Sequence, residues 1–277
     1  MKVALAQKRR IRSPVCAGMY YPEDKKEMLN YIESFGINEA SGGQAQAIIA
    51  PHGAWSYSGA LVASAFSSAM GRSGRISRVV VLGPIHDKRE KGLFLSNSYS
   101  FHTPLGNIPV DRKISEEIVF NGSYFEINDI PHLGEHSIEI LLPFVKYCFP
   151  NASIVPILMG QPGAKYIRDL AQALKTVISP VLEETLIVVS CNLSSNNDCD
   201  TARFLAEEYL RLVSEKNTPA LAAGILHGSL NACGGALVVS LFESSLLDKT
   251  QARFTPGNMV SAVDGNNTVY YNDVSFV

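Results

Sequence analysis

Residues 47–59 read AIIAPHGAWSYSG, and their order decides the fold class. Ala47, Ile48, Ile49 and Ala50 are small or apolar and too few for a helix, so they suit a buried strand. Pro51 has no amide for further ladder pairing, which leaves His52 just past a strand end. Gly53, Tyr57, Ser58 and Gly59 follow as a polar loop, and the Ala-rich run Ala60 to Met70 reads as a helix. Strand, loop and helix make the unit in which α/β proteins place ligands, outside the carboxyl ends of parallel strands.

The pattern recurs. Arg78 to His86 reads RVVVLGPIH, a β-branched run, a Gly-Pro turn and a second histidine. A lone loop histidine is as readily a hydrogen-bonding structural residue, but two strands each followed by histidine supply what a metal site at a sheet edge needs. Further strands are expected at Ala152 to Met159 and Glu184 to Cys191, with Gly92 to Ser100 as an edge strand or hairpin. Phe101 to Asp111 carries two prolines and a Gly-Asn pair and reads as a turn into a second hairpin strand. The tail from Val260 to Val274 reads as two strands around the turn at Gly265, Asn266 and Asn267.

Helices are expected over Glu23 to Phe35, from Asp111 as N-cap through Phe120, from near Ser137 to Pro150, over Ala164 to Val177, Asp200 to Ser214 and Thr218 to His227. The run ALVVSLF after NACGG makes another. This alternation predicts an α/β fold: a mainly parallel or mixed central sheet with helices on both faces. No linker-like stretch divides the 277 residues, so 1–277 reads as a single domain.

Composition narrows the function. With 24 basic and 26 acidic residues and a net charge of −2, the surface offers no general attraction to nucleic acid. The basic cluster Lys8, Arg9, Arg10 and Arg12 reads as a solvated segment. No apolar run reaches the ~18 residues of a membrane span, and no secretory signal is legible, so neither a membrane nor export is expected. Five scattered cysteines fit a reduced cytoplasm better than a disulfide framework.

Cys233 lies where the NACGG loop turns into a helix, near the positive end of the helix dipole, a placement that favours thiolate; a small buried hydrophobe is the plainer reading. Two imidazoles and a thiolate from His52, His86 and Cys233 would suit iron, copper or zinc, and not magnesium or calcium. His136 could act beside them with Glu135 or Glu139 orienting its ring. Trp55 and Tyr57 are candidate pocket walls. His102, His132 and His227 read as surface or turn residues.

The chain resembles the Memo family, also called AmmeMemoRadiSam system protein B. The resemblance rests on AGMYYP (Ala17 to Pro22), IIAPHGAWSYSG (Ile48 to Gly59), VVLGPIH (Val80 to His86), TPLGNIPVD (Thr103 to Asp111), EHSIEILLPF (Glu135 to Phe144), PILMG (Pro156 to Gly160) and ACGG (Ala232 to Gly235). It implies a fold similar to class III extradiol dioxygenases, metal ligands at His52, His86 and Cys233, and an association with other AmmeMemoRadiSam proteins, a radical-SAM protein among them. Two departures are visible. The family stretch S-S-D-[LF]-x-H reads SCNLSS here, placing Asn192 and Ser195 where an acid and a histidine stand. After the metal histidine, Gly53-Ala54 reverses the usual Ala-Gly.

The proton-transfer partner implied by the resemblance is thus replaced, and Asn192 and Ser195, with His136, become the candidate catalytic positions, while Glu135 joins Trp55 and Tyr57 as a candidate substrate contact. Three functions stay open. The first is an oxygen-dependent, dioxygenase-like oxidoreductase using iron or copper. The second is a scaffold that holds a small molecule or peptide without turnover, and the third is a zinc hydrolase.

Overall fold

The computed structural model describes residues 10–37, 43–254, 259–264 and 266–277. Lys8, Arg9, the apolar start before them, most of the Asn38 to Gln44 loop and Gly265 of the tail turn lie outside the described residues. The chain begins with β1 (Ile11–Arg12), α1 (Lys25–Ser34), β2 (Ala47–Ala50), α2 (Trp55–Ser67) and β3 (Arg78–Pro84). There follow β4 (Leu93–Leu95), β5 (Ser100–Thr103), β6 (Gly106–Pro109), α3 (Arg112–Asn121), β7 (Phe125–Ile127), α4 (Ile130–Gly134) and α5 (Leu142–Cys148). The second half runs β8 (Ser153–Met159), α6 (Ala164–Ala173), β9 (Thr185–Ser190), β10 (Ser194–Asn196), α7 (Cys199–Ser214), α8 (Thr218–His227) and α9 (Gly235–Glu243). It ends with β11 (Ala252–Arg253), β12 (Val260–Asp264), β13 (Asn267–Tyr271) and β14 (Val274–Phe276).

Among the described residues the central sheet has eight strands in the order β11-β14-β2-β9-β3-β8-β4-β7. Its middle, β2-β9-β3-β8, is parallel, whereas β14 pairs antiparallel with β2 and β4 antiparallel with β8. The period of two divides the side chains between two cores. Ile49, Leu82 and Val189 face one core with α6, α7 and α9, and Ile48, Val81 and Val188 face the other with α1, α2 and α5. The fold is therefore α/β with a mixed sheet between helical layers.

The N-cap expected at Asp111 is found there, and two other capped helices start within two residues of their expected positions, α1 at Lys25 and α7 at Cys199. Asp24 accepts from the amides of Lys26 and Glu27, and Asp111 from Ile114. Other boundaries differ for tertiary reasons. Helix α2 starts at Trp55, five residues before the Ala-rich run, because the Trp55 amide donates to Tyr20 O at 2.9 Å and the indole is buried in the core. The segment β4 is not at an edge, since β7 pairs along its outer side. The tail contributes a third strand, β14, while β12 and β13 join β10 in a separate three-stranded sheet over the site. The hairpin β5–β6 likewise forms a small sheet with β1.

Arg12 and His132 also depart from their reading as surface residues. Arg12 is buried, paired with Glu139, and donates to the carbonyls of His132 and Glu135 at 3.0 Å. Glu139 faces inward as well, accepting from the amides of Val15 and Cys16 and from Tyr21 Oη. It is thus not available to orient His136. His132 is buried with Nε2 at 3.1 Å from Phe94 O, whereas His102 and His227 are exposed as expected.

Candidate metal centre

Strands β2 and β3 flank β9, and all three run parallel, so their carboxyl ends deliver His52, His86 and Asn192 to one rim. Cys233 comes from the loop just before α9. Gly234 allows that approach: a Cβ there would collide with Ser190 O and lie 2.7 Å from Cys191 Cβ. The donor atoms of His52, His86 and Cys233 all lie within 4.8 Å of one another. Cys233 Sγ is 3.2 Å from His52 Nε2. Metal bonds of about 2.0–2.3 Å require donors this close together, so the three side chains would hold an ion after small shifts.

The outer ring nitrogens are held by other residues. Ser190 Oγ donates its single proton to Ser137 O at 2.6 Å, so toward His52 it can only accept, and His52 Nδ1–H donates to it at 2.7 Å. That fixes the tautomer and leaves the His52 Nε2 lone pair facing the sulfur. His86 Nδ1 lies 3.0 and 3.2 Å from the two oxygens of Glu135, whose carboxylate also accepts from the amides of His86, His136 and Ser137.

Burial pushes the Glu135 carboxyl up, but hydrogen bonds from His136 and His86 outweigh it and hold the group well below the usual range. For His86, burial lowers the imidazolium, and the bonds to Cys233 and Glu135 reverse this, raising it to about 10. The thiolate expected of Cys233 from its helix is not favoured in the metal-free protein. Burial and the hydrogen bond to Cys191 raise the thiol above its ordinary value, despite the His52 and His86 rings beside it. A bound ion would restore the thiolate.

A cavity of about 330 Å³ opens over the histidines. Its walls include Tyr20, Tyr57, His136, Asn192, Val269 and Tyr271, with Met19 and Val263 exposed at the rim. Gly53 explains the reversed Gly-Ala order, because a Cβ at 53 would meet the Tyr271 ring at 2.9 Å. Of the sequence candidates, His52, His86, His136, Tyr57 and Asn192 line this space. Glu135 lies behind the histidines and instead lines a second cavity with Ile85, His86, Arg89 and His136. Trp55 does not line the cavity; its indole donates to Ile140 O at 3.2 Å inside the core. Ser195 is also outside it, in β10 opposite Val269, with its amide 3.3 Å from Asn231 Oδ1. Asn192 Oδ1 accepts from the His52 amide at 2.9 Å. Ser190 and Ser137, which hold the His52 ring, were not singled out by sequence. The small polar ending of β9 was their one legible signal.

Fold and site together define an α/β protein with a His/His/Cys group able to hold a metal at the carboxyl edge of its sheet. The family model described as Memo-like protein matches residues 12–268, and the chain belongs to that family. A MEMO1 family protein of Thermotoga neapolitana is 30% identical over 246 residues, covering 83% of this chain and 87% of the relative. One from Methanobrevibacter smithii is 26% identical over 252 residues, 86% of this chain and 89% of that protein. Among the described residues, no helix is long and apolar enough to cross a membrane.

Proposed function

We propose that His52, His86 and Cys233 bind iron or copper and that the protein is an oxygen-dependent oxidoreductase acting on a small organic molecule in the cavity. The observation that carries this reading is the convergence of three donors, two of them histidines whose outer nitrogens are already committed to Ser190 and Glu135. Two imidazoles and one thiolate form a borderline-to-soft set that leaves a coordination position open toward the cavity. The ion would supply electron exchange with oxygen and polarisation of a bound donor atom.

The chain's own groups bind and orient. Tyr57, Val269 and Tyr271 give an apolar, aromatic wall, and Asn192 offers hydrogen bonding beside His52. His136 is the proton acceptor of this scheme: it lines the cavity, and Glu135, 3.2 Å from its Nδ1, balances the charge gained. Trp55 and Ser195 have no part in it. The odd number and wide scatter of the five cysteines support a reducing compartment such as the cytoplasm, and family membership supports work alongside other AmmeMemoRadiSam proteins.

Elemental analysis after anaerobic purification, followed by oxygen-uptake measurement on phenolic and other small aromatic probes, tests the proposal. Iron or copper and an uptake abolished by His52→Ala are expected. Zinc alone would move the protein to a hydrolase. A metal without any turnover would favour the holding of a ligand, a reading supported by the commitment of the Asn192 carbonyl to a backbone amide.

A further inference from the structure

A second thiol lies behind the metal trio. Cys191, the first residue after β9, is fully buried, its sulfur approaches Tyr209 Oη at 3.4 Å, and it packs against the residue after Cys233, since a Cβ on Gly234 would lie 2.7 Å from Cys191 Cβ. Both sulfurs also lie near Asn192 O, at 3.4 Å for Cys191 and 3.8 Å for Cys233. The backbones also approach, since a Cβ built on Gly234, the residue after Cys233, would lie 2.9 Å from Cys191 Cα. Disulfides need such neighbouring backbones, with Cα atoms about 5.5–6 Å apart. Cys191 is not part of the cluster of donors formed by His52, His86 and Cys233.

We propose that Cys191 and Cys233 form a reversible disulfide under peroxide, and that this bond switches off metal binding by consuming the sulfur ligand. The inference rests on the assignment of Cys233 as a ligand. Cys233, the half-buried member and so the one that peroxide reaches, attacks hydrogen peroxide through the minor fraction of its sulfur that is ionised and becomes a sulfenic acid, with release of one water. The Cys191 sulfur then attacks the Cys233 sulfur, the S–O bond breaks, and the hydroxyl leaves with the thiol proton as a second water. Two electrons pass from the thiol pair to the peroxide. A dithiol reductant returns both thiols and the site.

The full-length metal-free protein is treated with hydrogen peroxide, digested and mapped by mass spectrometry, with binding of the metal alone measured before and after. A Cys191–Cys233 cross-link with a mass lower by about two units is expected, with metal affinity down at least about 100-fold and restored by dithiothreitol. Cys191→Ser retains metal binding when reduced and gives no cross-link, so its Cys233 proceeds to sulfinic acid and dithiothreitol does not rescue it. A cross-link to Cys199, Cys148 or Cys16 instead, or reversible loss of metal in Cys191→Ser, overturns the switch. Failure of the reduced wild-type protein to bind metal would refute the metal-centre reading, while the peptide map would still report on the disulfide.

Discussion

His86 and His136 stack with ring centroids 4.5 Å apart and planes inclined by 18°, and the single carboxylate of Glu135 serves both. Glu135 is therefore the group on which the geometry of the second metal histidine depends. It binds the ring of His86, the backbone that presents that ring, and the first amides of the loop that carries His136 and Ser137.

Replacing this carboxylate with an amide tests that dependence. In Glu135→Gln one oxygen becomes an N–H donor facing N–H donors, so His86 loses its orienting partner. Metal affinity is expected to fall about 10–100-fold, the usual effect of removing such an orienting acid. Competition titration with a chromophoric chelator measures it, and an unchanged affinity would show that His86 is oriented by other contacts.

Ser190→Ala makes a similar test at His52. The ring loses the acceptor that keeps the proton on Nδ1, and its Nε2 lone pair is no longer reserved for the ion. A loss of about tenfold or more in metal affinity is expected, with the far-ultraviolet circular dichroism unchanged. Wild-type affinity in a folded Ser190→Ala protein would mean that packing alone sets the His52 tautomer.

Much of this site was readable in sequence because its two histidines each follow a short apolar strand, and local chemistry determines both. Pro51 ends β2 and the Gly83-Pro84 pair ends β3, so strand ends and ligands are encoded within a few residues of each other. The rest was set at long range. Trp55 begins a helix because of a carbonyl 35 residues earlier, at Tyr20. Glu139, a sequence candidate to orient His136, instead turns inward to Arg12, 127 residues away. Ser195 keeps the sequence position of the family histidine, but in β10 it pairs with the cavity residue Val269 while lying outside the cavity itself.

The Arg12–Glu139 pair links the N-terminal segment to the loop that presents Glu135. Its side chains are only 3% and 1% exposed, so neither charge can be rehydrated if its partner is removed. Arg12→Met is expected to destabilise the protein by about 3–5 kcal/mol, and the Tm should fall by roughly 2–4 °C for each of these. Because Arg12 also binds the carbonyls of His132 and Glu135, metal affinity should weaken at temperatures where the variant is still folded. A scanning-calorimetry shift below about 1 kcal/mol would show the pair to be exchangeable.

His132 supplies a dependence of stability on acid that is separate from the metal ligands. Burial holds its imidazole neutral and lowers its pKa from 6.5 to about 4, with the Phe94 carbonyl opposing and Arg12 assisting. The unfolded chain thus takes up this proton near pH 6.5, whereas the folded protein resists it until near pH 4, so the unfolded state binds more protons across that interval. Stability from this residue is complete above pH 6.5 and is lost as the pH falls toward 4, by about 3 kcal/mol in all. Urea unfolding of wild type and His132→Gln at several pH values between 4 and 7 isolates the effect. The variant is expected to be less stable at pH 7 through loss of packing, yet to have a shallower acid slope, and parallel slopes would show that His132 does not carry the acid sensitivity.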